Sequence, residues 1–366
     1  MKFKVARSEL LNGLQAVIGV VERRQTMPIL SNLLLKAEND SLKLTGTDLE
    51  LELVTQLTVA VSQPGATTVP ARKLLDICRG LPEGSDIEFE MQDKRAKLSS
   101  GRSRFMLATL PATEFPFLDE ISEGQKIELP QETLKHLFDR THFAMAHQDV
   151  RYYLNGLLLV LRSDRVRAVA TDGHRLALCD ANVDTGVSEE RQVIVPRKAI
   201  TELQRLLQSS DVPVKITLSE NHLQVQMSDI RFTTKLIDGR FPDYERVIPA
   251  EGDKKLVGDR ELVRLALART AILSNEKFKG VRLVLDENRL KLQAQNPDHE
   301  EAEDEIEVDY SDGPIEIGFN VNYLMDALSV MDTEQFSLEL TGPDSSGLLR
   351  EQNDGNSQYV VMPMRL

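Results

Sequence analysis

One pair of side chains in this sequence resembles a catalytic dyad. The segment Thr171-Asp172-Gly173-His174-Arg175 brings a carboxylate close to an imidazole. Catalysis by such a pair needs a nucleophile and a base held within mutual reach, and close neighbours in sequence usually point apart. Asp172-Gly173 is also typical of a turn that follows a strand. The pattern therefore favours a turn over a hydrolytic site built on Asp172 and His174.

Two adjacent tyrosines suggest a different chemistry, the stacking of aromatic rings on unpaired bases. Tyr152 and Tyr153 follow Gln148 and Arg151 in a segment that joins a predicted helix to a predicted strand. Exposed aromatic rings beside a basic residue are typical of such contacts. One core tyrosine beside one surface tyrosine is the alternative, and the residues alone leave both open.

The last residues form an apolar tail that is rich in methionine. Tyr359-Val360-Val361-Met362 reads as a final strand, and Pro363, Met364 and Leu366 continue it around the basic Arg365. Methionine side chains adapt to the shape of varied partners. The tail therefore predicts both a strand and a surface for binding partners.

The elements that must position these side chains occur three times. Leu42, Val166 and Leu290 lie at equivalent points of three copies, at intervals of 124 residues. A period of this length exceeds that of solenoid repeats, so each copy should have its own core. We predict domains at 1–125, 126–248 and 249–366. Two further triplets support the alignment: Lys73, Lys198 and Asn322, and Phe105, Phe232 and Tyr359.

Each copy reads as a helix, a strand hairpin, a strand, a second helix and a second run of strands. Apolar residues at helical spacing predict the first helices, and short strands that end near a proline precede two of the second helices. Alternating runs between the helices predict half-exposed antiparallel strands. The fold class is therefore α+β, with two helices and antiparallel sheet in each copy. The predicted first helices are 8–21, 131–146 and 259–274, and the second are 71–80, 196–208 and 320–332.

The charge is unusual for a protein that contacts nucleic acid, because 44 basic and 58 acidic residues give a net charge of −14. Such a chain should repel DNA unless its charges are segregated. The predicted helices carry a small positive excess, which predicts either a mildly basic helix-lined surface or ordinary solvated faces. The basic residues in question are Arg72, Lys73, Arg79, Arg197, Lys198, Arg205, Arg264 and Arg269.

Composition excludes several other classes of protein. The two cysteines, Cys78 and Cys179, cannot form a disulfide framework, and no cluster of Cys and His predicts a metal site. No apolar run approaches the length of a membrane span, and the first residues lack an apolar signal core. We therefore expect a cytoplasmic protein without a metal or a cofactor.

A threefold repeat leaves two complementary edges, one at each end of the chain. Head-to-tail association of two chains would satisfy both edges and form a ring of six units. Residues 298–309 hold eight carboxylates, whereas the first copy carries basic residues near Phe105. A solvated loop is the alternative for the acidic run. We expect Ile272 and Leu273 to pack on Phe105 and Leu107 of the partner, with Lys73, Arg102 and Arg104 facing Glu300, Glu303 and Asp304.

Seven segments of the sequence match those of a known family: 44–50, 64–73, 145–156, 170–177, 238–244, 271–278 and 359–366. On these segments the chain resembles, over its whole length, the beta sliding clamp family of bacterial DNA polymerase III. The resemblance implies a non-catalytic processivity factor: a homodimer forming a six-domain ring of the DNA-clamp fold around double-stranded DNA. It also implies a pocket for peptides from the DNA polymerase III alpha subunit, the clamp-loader complex, other polymerases and repair proteins.

The family's functional residues map onto two sets in this sequence. The residues implied to contact DNA are Arg24, Arg72, Gln148, Tyr152 and Tyr153. The residues implied to form the peptide pocket are Leu154, Thr171, Gly173, His174, Arg175, Leu176, Pro242, Arg246, Val247, Val360, Val361, Met362, Pro363, Met364, Arg365 and Leu366. Two other functions remain as alternatives: a repeat scaffold that gathers proteins without encircling DNA, and the hydrolase built on Asp172 and His174.

Overall fold

The structure is a computed structural model, and it describes residues 1–21, 27–118, 121, 123–250 and 252–365. The first third of the chain contains β1 (Lys2–Ala6), α1 (Arg7–Val17), β2 (Asn32–Glu38), β3 (Ser41–Thr47), β4 (Leu51–Thr58), β5 (Ala60–Gln63), β6 (Gly65–Pro70), α2 (Ala71–Gly80), β7 (Asp86–Gln92), β8 (Arg95–Ser100) and β9 (Ser103–Ala108). The middle third contains β10 (Gln125–Pro130), α3 (Gln131–Thr141), β11 (Gly156–Arg162), β12 (Arg165–Thr171), β13 (Arg175–Asn182), β14 (Arg191–Pro196), α4 (Arg197–Leu206), β15 (Pro213–Leu218), β16 (His222–Met227) and β17 (Ile230–Lys235). The last third contains β18 (Lys254–Asp259), α5 (Arg260–Ala271), β19 (Gly280–Asp286), β20 (Arg289–Gln295), β21 (Glu301–Glu307), β22 (Ile315–Asn320), α6 (Val321–Ser329), β23 (Gln335–Leu340), β24 (Gly347–Glu351) and β25 (Ser357–Val361).

These elements form two compact units, and the middle repeat contributes to both. Unit 1 consists of Met1–Glu132 and Thr201–Leu236, and unit 2 of Thr133–Ile200 and Ile237–Leu366. Each unit contains one eight-stranded sheet and one smaller sheet. The boundaries of the three predicted domains come from the repetition of elements and differ from those of the two compact units.

In unit 1 the strand order is β5-β1-β7-β8-β9 in one sheet and β10-β15-β16-β17-β4-β3-β2-β6 in the other. Helix α1 packs against α2 and against strands β3 and β4. Its apolar stripe at Leu10, Leu14 and Val17 is fully buried, as the helical spacing predicts. The core of this unit therefore lies between the helices and the sheets.

In unit 2 the strand order is β14-β11-β12-β13-β25-β24-β23-β18 in the larger sheet and β21-β20-β19-β22 in the smaller one. Helix α5 packs against α6 and against β20 and β21. The run from Gly156 to Leu161 in β11 is buried without alternation, because both faces of the strand are covered. The α+β class predicted from the sequence is confirmed in both units.

Strand pairing confirms one repeat alignment and corrects another. Leu42, Val166 and Leu290 each lie opposite the matching residue of the preceding strand in their hairpins. The equivalence of Lys73 with Lys198 is wrong by one residue. Because β6 and β14 end at Pro70 and Pro196, the second residues of the helices that follow, Arg72 and Lys198, are equivalent.

Several predicted elements and boundaries are wrong. A short strand that was not predicted precedes each first helix: β1, β10 and β18. The first helices are also shorter than predicted, since α1 and α3 pass into 3-10 turns at Ile18–Val20 and His142–Ala144. The solvated loop considered for 298–309 is largely wrong, because Glu301–Glu307 forms strand β21 at a sheet edge.

Within the described residues, no helix has both the length and the apolar character needed to cross a membrane.

Candidate functional site

The Asp172 carboxylate, which had suggested a catalytic dyad, is hydrogen-bonded within the turn between β12 and β13. The Asp172 Oδ1 atom accepts hydrogen bonds from the backbone N–H groups of His174 and Arg175, at 2.9 and 3.1 Å. Gly173 adopts a φ of 89°, which favours glycine, and the His174 side chain is exposed. The turn predicted for Asp172-Gly173 is therefore confirmed, and the Asp172 carboxylate stabilises the backbone there.

Arg175 joins this turn to helix α6 through a largely buried guanidinium group. Its Nε donates to Asp172 Oδ2 at 3.1 Å, and its Nη1 lies 2.5 Å from Asp326 Oδ2. The guanidinium also stacks on the ring of Tyr323, with its central carbon 4.5 Å from the ring centroid. Only 13% of the Arg175 side chain is exposed. Arg175 therefore supports the turn from within the fold.

An apolar cluster lies beside this turn, beneath the residues predicted to form the peptide pocket, and we call this predicted site the unit 2 groove. Leu154, Leu176 and Val360 are buried in one cluster with Phe241 and Tyr244. The strand pair β13 and β25 places Val360 directly opposite Leu176. The predicted pocket residues that remain exposed around this cluster are His174, Pro242, Arg246, Val247 and Met362, whereas Thr171 is buried in the turn.

The C-terminal tail contacts this groove only in its first part. Val361 is buried opposite Arg175, and the Met362 N–H donates to the His174 carbonyl at 2.9 Å. Beyond the half-buried Pro363, the Met364 N–H donates to Gly318 O at 2.8 Å. Met364 and Arg365 therefore border a separate hollow of about 570 Å³, beside the exposed Phe278. Leu366 lies outside the described residues.

The segment that carries the two tyrosines is fixed by its own hydrogen bonds. The Asp149 carboxylate accepts from Arg151 N, Nε and Nη2 at 2.8 to 3.0 Å. Hydrogen bonds from Arg151 lower the pKa of Asp149 to about 2. Gln148, just before it, has a φ of 56°. The segment is therefore a preformed loop.

The two tyrosines have different environments. Tyr152 is 57% exposed, whereas Tyr153 is half-buried against the unit 2 cluster, and their rings meet edge to face at 5.8 Å. This arrangement resembles the alternative of one packed and one surface tyrosine. Val150 was not among the predicted site residues, and it is 96% exposed in the same loop. Its only signal was an aliphatic residue within a polar run.

Several basic residues of the predicted positive helix surface already have partners in the structure. Arg264 pairs with Glu261 at 2.6 Å, and Arg205 pairs with Glu202 at 2.8 Å. Arg72 is exposed on α2, and its Nη2 donates to Val21 O at 3.0 Å. Because Glu261 and Glu202 lie on the same helices as their partner arginines, the pairs hold the side chains in place and leave the net charge of each helix unchanged. Arg24 lies outside the described residues.

The predicted interface residues lie on two sheet edges and near two helix ends. On β9, Phe105 and Leu107 turn inward and Arg104 is exposed. Arg102, just before β9, and Lys73, on α2, are also exposed. Just beyond α5, Ile272 is 77% exposed and Leu273 is half-buried.

The acidic residues of the predicted interface have contacts within the chain. Asp304 points toward α5, where Arg269 lies 2.6 Å from it, and its contact with the partner's basic residues stays a prediction. Glu303 lies on the opposite, exposed face of β21 beside Lys291, and Glu300 contacts Asn296. The alternation along a strand separates Asp304 from Glu303.

No group of three or more His, Cys, Asp or Glu side chains within the described ranges could hold a metal ion. Both cysteines are buried, and burial raises the pKa of Cys78 to about 12 and that of Cys179 to about 11. These thiols therefore belong to the core.

Comparison with known proteins agrees with this architecture over the full length of the chain. The family models for the N-terminal, central and C-terminal domains of the DNA polymerase III beta subunit match residues 1–119, 128–243 and 245–365. The beta sliding clamps of Pseudomonas aeruginosa and Escherichia coli K12 are 52% and 50% identical, each with 100% of both chains covered.

Solved structures give the same result. A crystal structure of the Pseudomonas aeruginosa sliding clamp with a ligand has a TM-score of 0.97 at 51% identity. The Bartonella birtlesii clamp bound to griselimycin has a TM-score of 0.97 at 41% identity, and both comparisons cover 100% of each chain. The chain therefore belongs to the DNA polymerase III beta subunit family, the beta sliding clamps.

Proposed function

We propose that two copies of this chain associate head to tail into a ring of six domains that encircles duplex DNA. Each copy supplies domains 1–125, 126–248 and 249–366. The ring tethers the replicative polymerase to DNA and catalyses no reaction itself. One observation supports this proposal. The same kind of strand pairing joins consecutive repeats twice within the chain, and the two strands that would form a third such pair, β21 and β9, both lie at sheet edges.

The two internal pairings follow one rule. In unit 1, β4 of the first repeat pairs with β17 of the second, and Leu53 lies opposite Phe232. In unit 2, β13 of the second repeat pairs with β25 of the third, and Ala177 lies opposite Tyr359. The remaining counterparts are β21 of the third repeat and β9 of the first, which both lie at sheet edges. Pairing β21 with β9 of another copy extends the rule and covers both exposed edges.

The same rule predicts the register of this intermolecular pair. Within their own hairpins, Ala177 and Ala302 lie opposite Ala170 and Ala294, which are 124 residues apart. Ala302 should therefore lie opposite the partner's Phe105. One residue along, Glu303 meets the partner's Arg104, and both side chains are on the exposed faces of their strands. Opposite charges at such cross-strand positions are favourable.

The helices support the same association. In unit 1, the Arg205 guanidinium of α4 donates to the carbonyls of Gln15 and Ala16 at the end of α1, at 2.8 and 2.7 Å. The corresponding helices at the open edges are α2 and α5. Helix α2 carries Lys73, and Ile272 and Leu273 follow the end of α5. Association of two copies should therefore bury Ile272 and Leu273 of one copy against the other.

A closed ring holds DNA by topology, so strong binding of phosphates is unnecessary. This reconciles a net charge of −14 with a DNA partner, since the acidic outer surface repels other DNA while weak contacts in the ring permit sliding. We propose that Arg24, Arg72, Gln148, Tyr152 and Tyr153 make those weak contacts. The exposed ring of Tyr152 and the preformed loop after Gln148 support this assignment.

We further propose that the unit 2 groove receives short peptides in the cytoplasm. Its buried apolar floor and its few exposed polar groups are the usual form of a peptide site. Its partners are the DNA polymerase III alpha subunit, the clamp-loader complex, and other polymerases and repair proteins with clamp-binding peptides. Met362 and Val247 supply exposed apolar contacts at its rim.

Retention on circular DNA tests encirclement. The loader places the protein on closed circular DNA, and the salt concentration is then raised. Phosphate contacts fade with salt at a log–log slope of roughly −0.9 per neutralised phosphate, whereas a topological link does not. We expect the ring to stay on circular DNA in high salt and to leave after linearisation. Equal loss from circular and linear DNA would support the scaffold alternative instead.

A further inference from the structure

The ends of helices α1 and α5 have the same structure. After α1, the Val21 N–H donates to Ile18 O at 3.1 Å, and after α5 the Ser274 N–H donates to Ala271 O at the same distance. The equivalent residues are 253 positions apart, and the same interval relates every buried residue of α1 to a buried residue of α5. It makes three further pairs equivalent: Gln15 and Ala268, Ala16 and Arg269, and Gly19 and Ile272.

Helices α2 and α4 also correspond. The strands before them end at Pro70 and Pro196. Six residues beyond these prolines each helix carries a carboxylate, and nine residues beyond them each carries an arginine. The equivalent pairs are Asp76 and Glu202, and Arg79 and Arg205. Two residues of α2 thus have counterparts at a junction inside the chain.

Inside unit 1, the carboxylate and the arginine of α4 contact the end of α1. The Arg205 guanidinium donates to the carbonyls of Gln15 and Ala16 at 2.8 and 2.7 Å. Glu202 Oε2 accepts from Arg205 Nε and Nη2 at 3.0 and 2.8 Å. A cation is favourable beside the last carbonyls of a helix, which carry partial negative charge. Gly19 lies so close to the Glu202 carboxylate that a Cβ there would overlap it. The pair therefore caps α1 and requires glycine at position 19.

Unit 2 has an arginine at the corresponding junction, with the roles of the two helices exchanged. Arg140 of α3 donates to Val330 O, just beyond the end of α6, and its Nη2 lies 2.6 Å from Asp332 Oδ2. Its side chain is only 4% exposed. Both junctions between repeats within the chain therefore have an arginine that binds a backbone carbonyl at a helix end.

The open ends of the chain carry the two halves of a third junction of this kind. On α2, Asp76 and Arg79 are both exposed. Beyond α5, the position of Gly19 is taken by Ile272, which is 77% exposed. Asp76 is one methylene shorter than Glu202, so it leaves room for the larger side chain of Ile272. The two open ends therefore fit each other in size.

The charge at the end of α5 also suits the approach of a guanidinium group. The Arg269 side chain lies 2.6 Å from the Asp304 carboxylate, so its own positive charge is balanced. The carbonyls of the last turn, which include those of Ala268 and Arg269, carry the partial negative charge of the helix end. A cation from another copy is therefore favourable at this point.

We propose that Arg79 caps helix α5 of the partner copy. Its guanidinium donates to the carbonyls of the partner's Ala268 and Arg269, and Asp76 holds it in place. The partner's Ile272 packs beside Asp76. This contact rests on the proposed head-to-tail association and adds a directional hydrogen-bonded cap to it. Arg79 therefore belongs to the interface between copies and not to a surface that faces DNA.

Sedimentation velocity of the full-length protein without DNA tests this contact. Arg79→Ala should raise the Kd of the dimer at least about tenfold, because a closed ring of two chains loses the contact twice. Arg205→Ala is the matched control, since it removes the equivalent contact within one chain. It should lower the thermal stability and change the Kd by less than about threefold. A change of less than about threefold in Arg79→Ala overturns the proposal.

Arg79→Lys separates a hydrogen-bonded cap from a general attraction of charges. Lysine keeps the positive charge but has no planar fork that reaches two carbonyls. We expect Arg79→Lys to raise the Kd of the dimer at least about threefold. A wild-type Kd in this variant would show that charge alone acts at this position, and it would refute the cap.

Asp76→Glu tests the position of Ile272. The added methylene should weaken the dimer of the otherwise wild-type chain. It should do so less when Ile272 is replaced by alanine, because the space beside residue 76 is then open. An equal effect in both backgrounds would contradict the packing of Ile272 beside Asp76.

Ile272→Ala alone distinguishes failure of this cap from failure of the association. If Ile272→Ala weakens the dimer and Arg79→Ala does not, the copies associate head to tail without the cap, and only the cap is refuted. If neither substitution has an effect, or the wild-type chain is monomeric, both the cap and the head-to-tail association are refuted.

Discussion

The substitution Ile272→Ala should shift the protein from a dimer toward folded monomers. Ile272 is 77% exposed in the single chain, and the proposed association buries it against the partner. Truncation to alanine removes about three carbon groups at about 0.8 kcal/mol each, which gives about 2 kcal/mol at this exposure. A closed ring of two chains contains the interface twice. The dimer should therefore lose about 4 kcal/mol, a rise in Kd of about a thousandfold.

Sedimentation velocity over a range of protein concentrations measures this Kd. Adding Leu273→Ala should weaken the dimer further, because its half-buried side chain is next to Ile272. Leu262→Ala is the control, since Leu262 is 56% exposed on the same helix but lies near its other end. Thermal unfolding should confirm that each variant still folds. An unchanged dimer in the double variant would show that this residue pair lies outside the interface.

Three further results are expected. Arg104→Glu should weaken the dimer, and adding Glu303→Arg should restore part of its stability, as sedimentation can show; failure to restore it would contradict the proposed register. Deletion of Met362–Leu366 should abolish binding of a fluorescent polymerase peptide while the protein remains dimeric, and undiminished binding would move the peptide site elsewhere. Arg151→Gln should raise the pKa of Asp149 from about 2 toward 3.8, as NMR titration can measure. Because the pKa is lowered, the contribution of this carboxylate to stability is present above 3.8 and is lost as the pH falls toward 2; an unchanged pKa would rule out Arg151 as the cause.

Local patterns in the sequence were enough to identify the repeated unit and its helices. Leu42, Val166 and Leu290 share a strand position because apolar alternation is a property of a few neighbouring residues. Helix α2 has the predicted bounds, since Pro70 marks its start and its buried residues follow helical spacing. The turn at Asp172-Gly173 was predictable for the same local reason.

Other elements could not be predicted because their local signals are weak or misleading. Strand β1 has only five residues, and its alternation of buried and exposed side chains is too short to stand out. Strand β21 is rich in carboxylates, which is typical of a loop, and it pairs all the same with the alternating strand β20. Tertiary context therefore outweighed intrinsic preference in these segments.

The sequence by itself determined the threefold repeat, the α+β class and the family resemblance. Only the tertiary structure decided which residues share a surface. Leu176 and Val360 are 184 residues apart in sequence, and they meet because β13 pairs with β25. Likewise, Asp304 and Glu303 are neighbours in sequence, and the strand turns one toward Arg269 and the other toward solvent. Such outcomes depend on long-range strand pairing and register, which no local run of residues encodes.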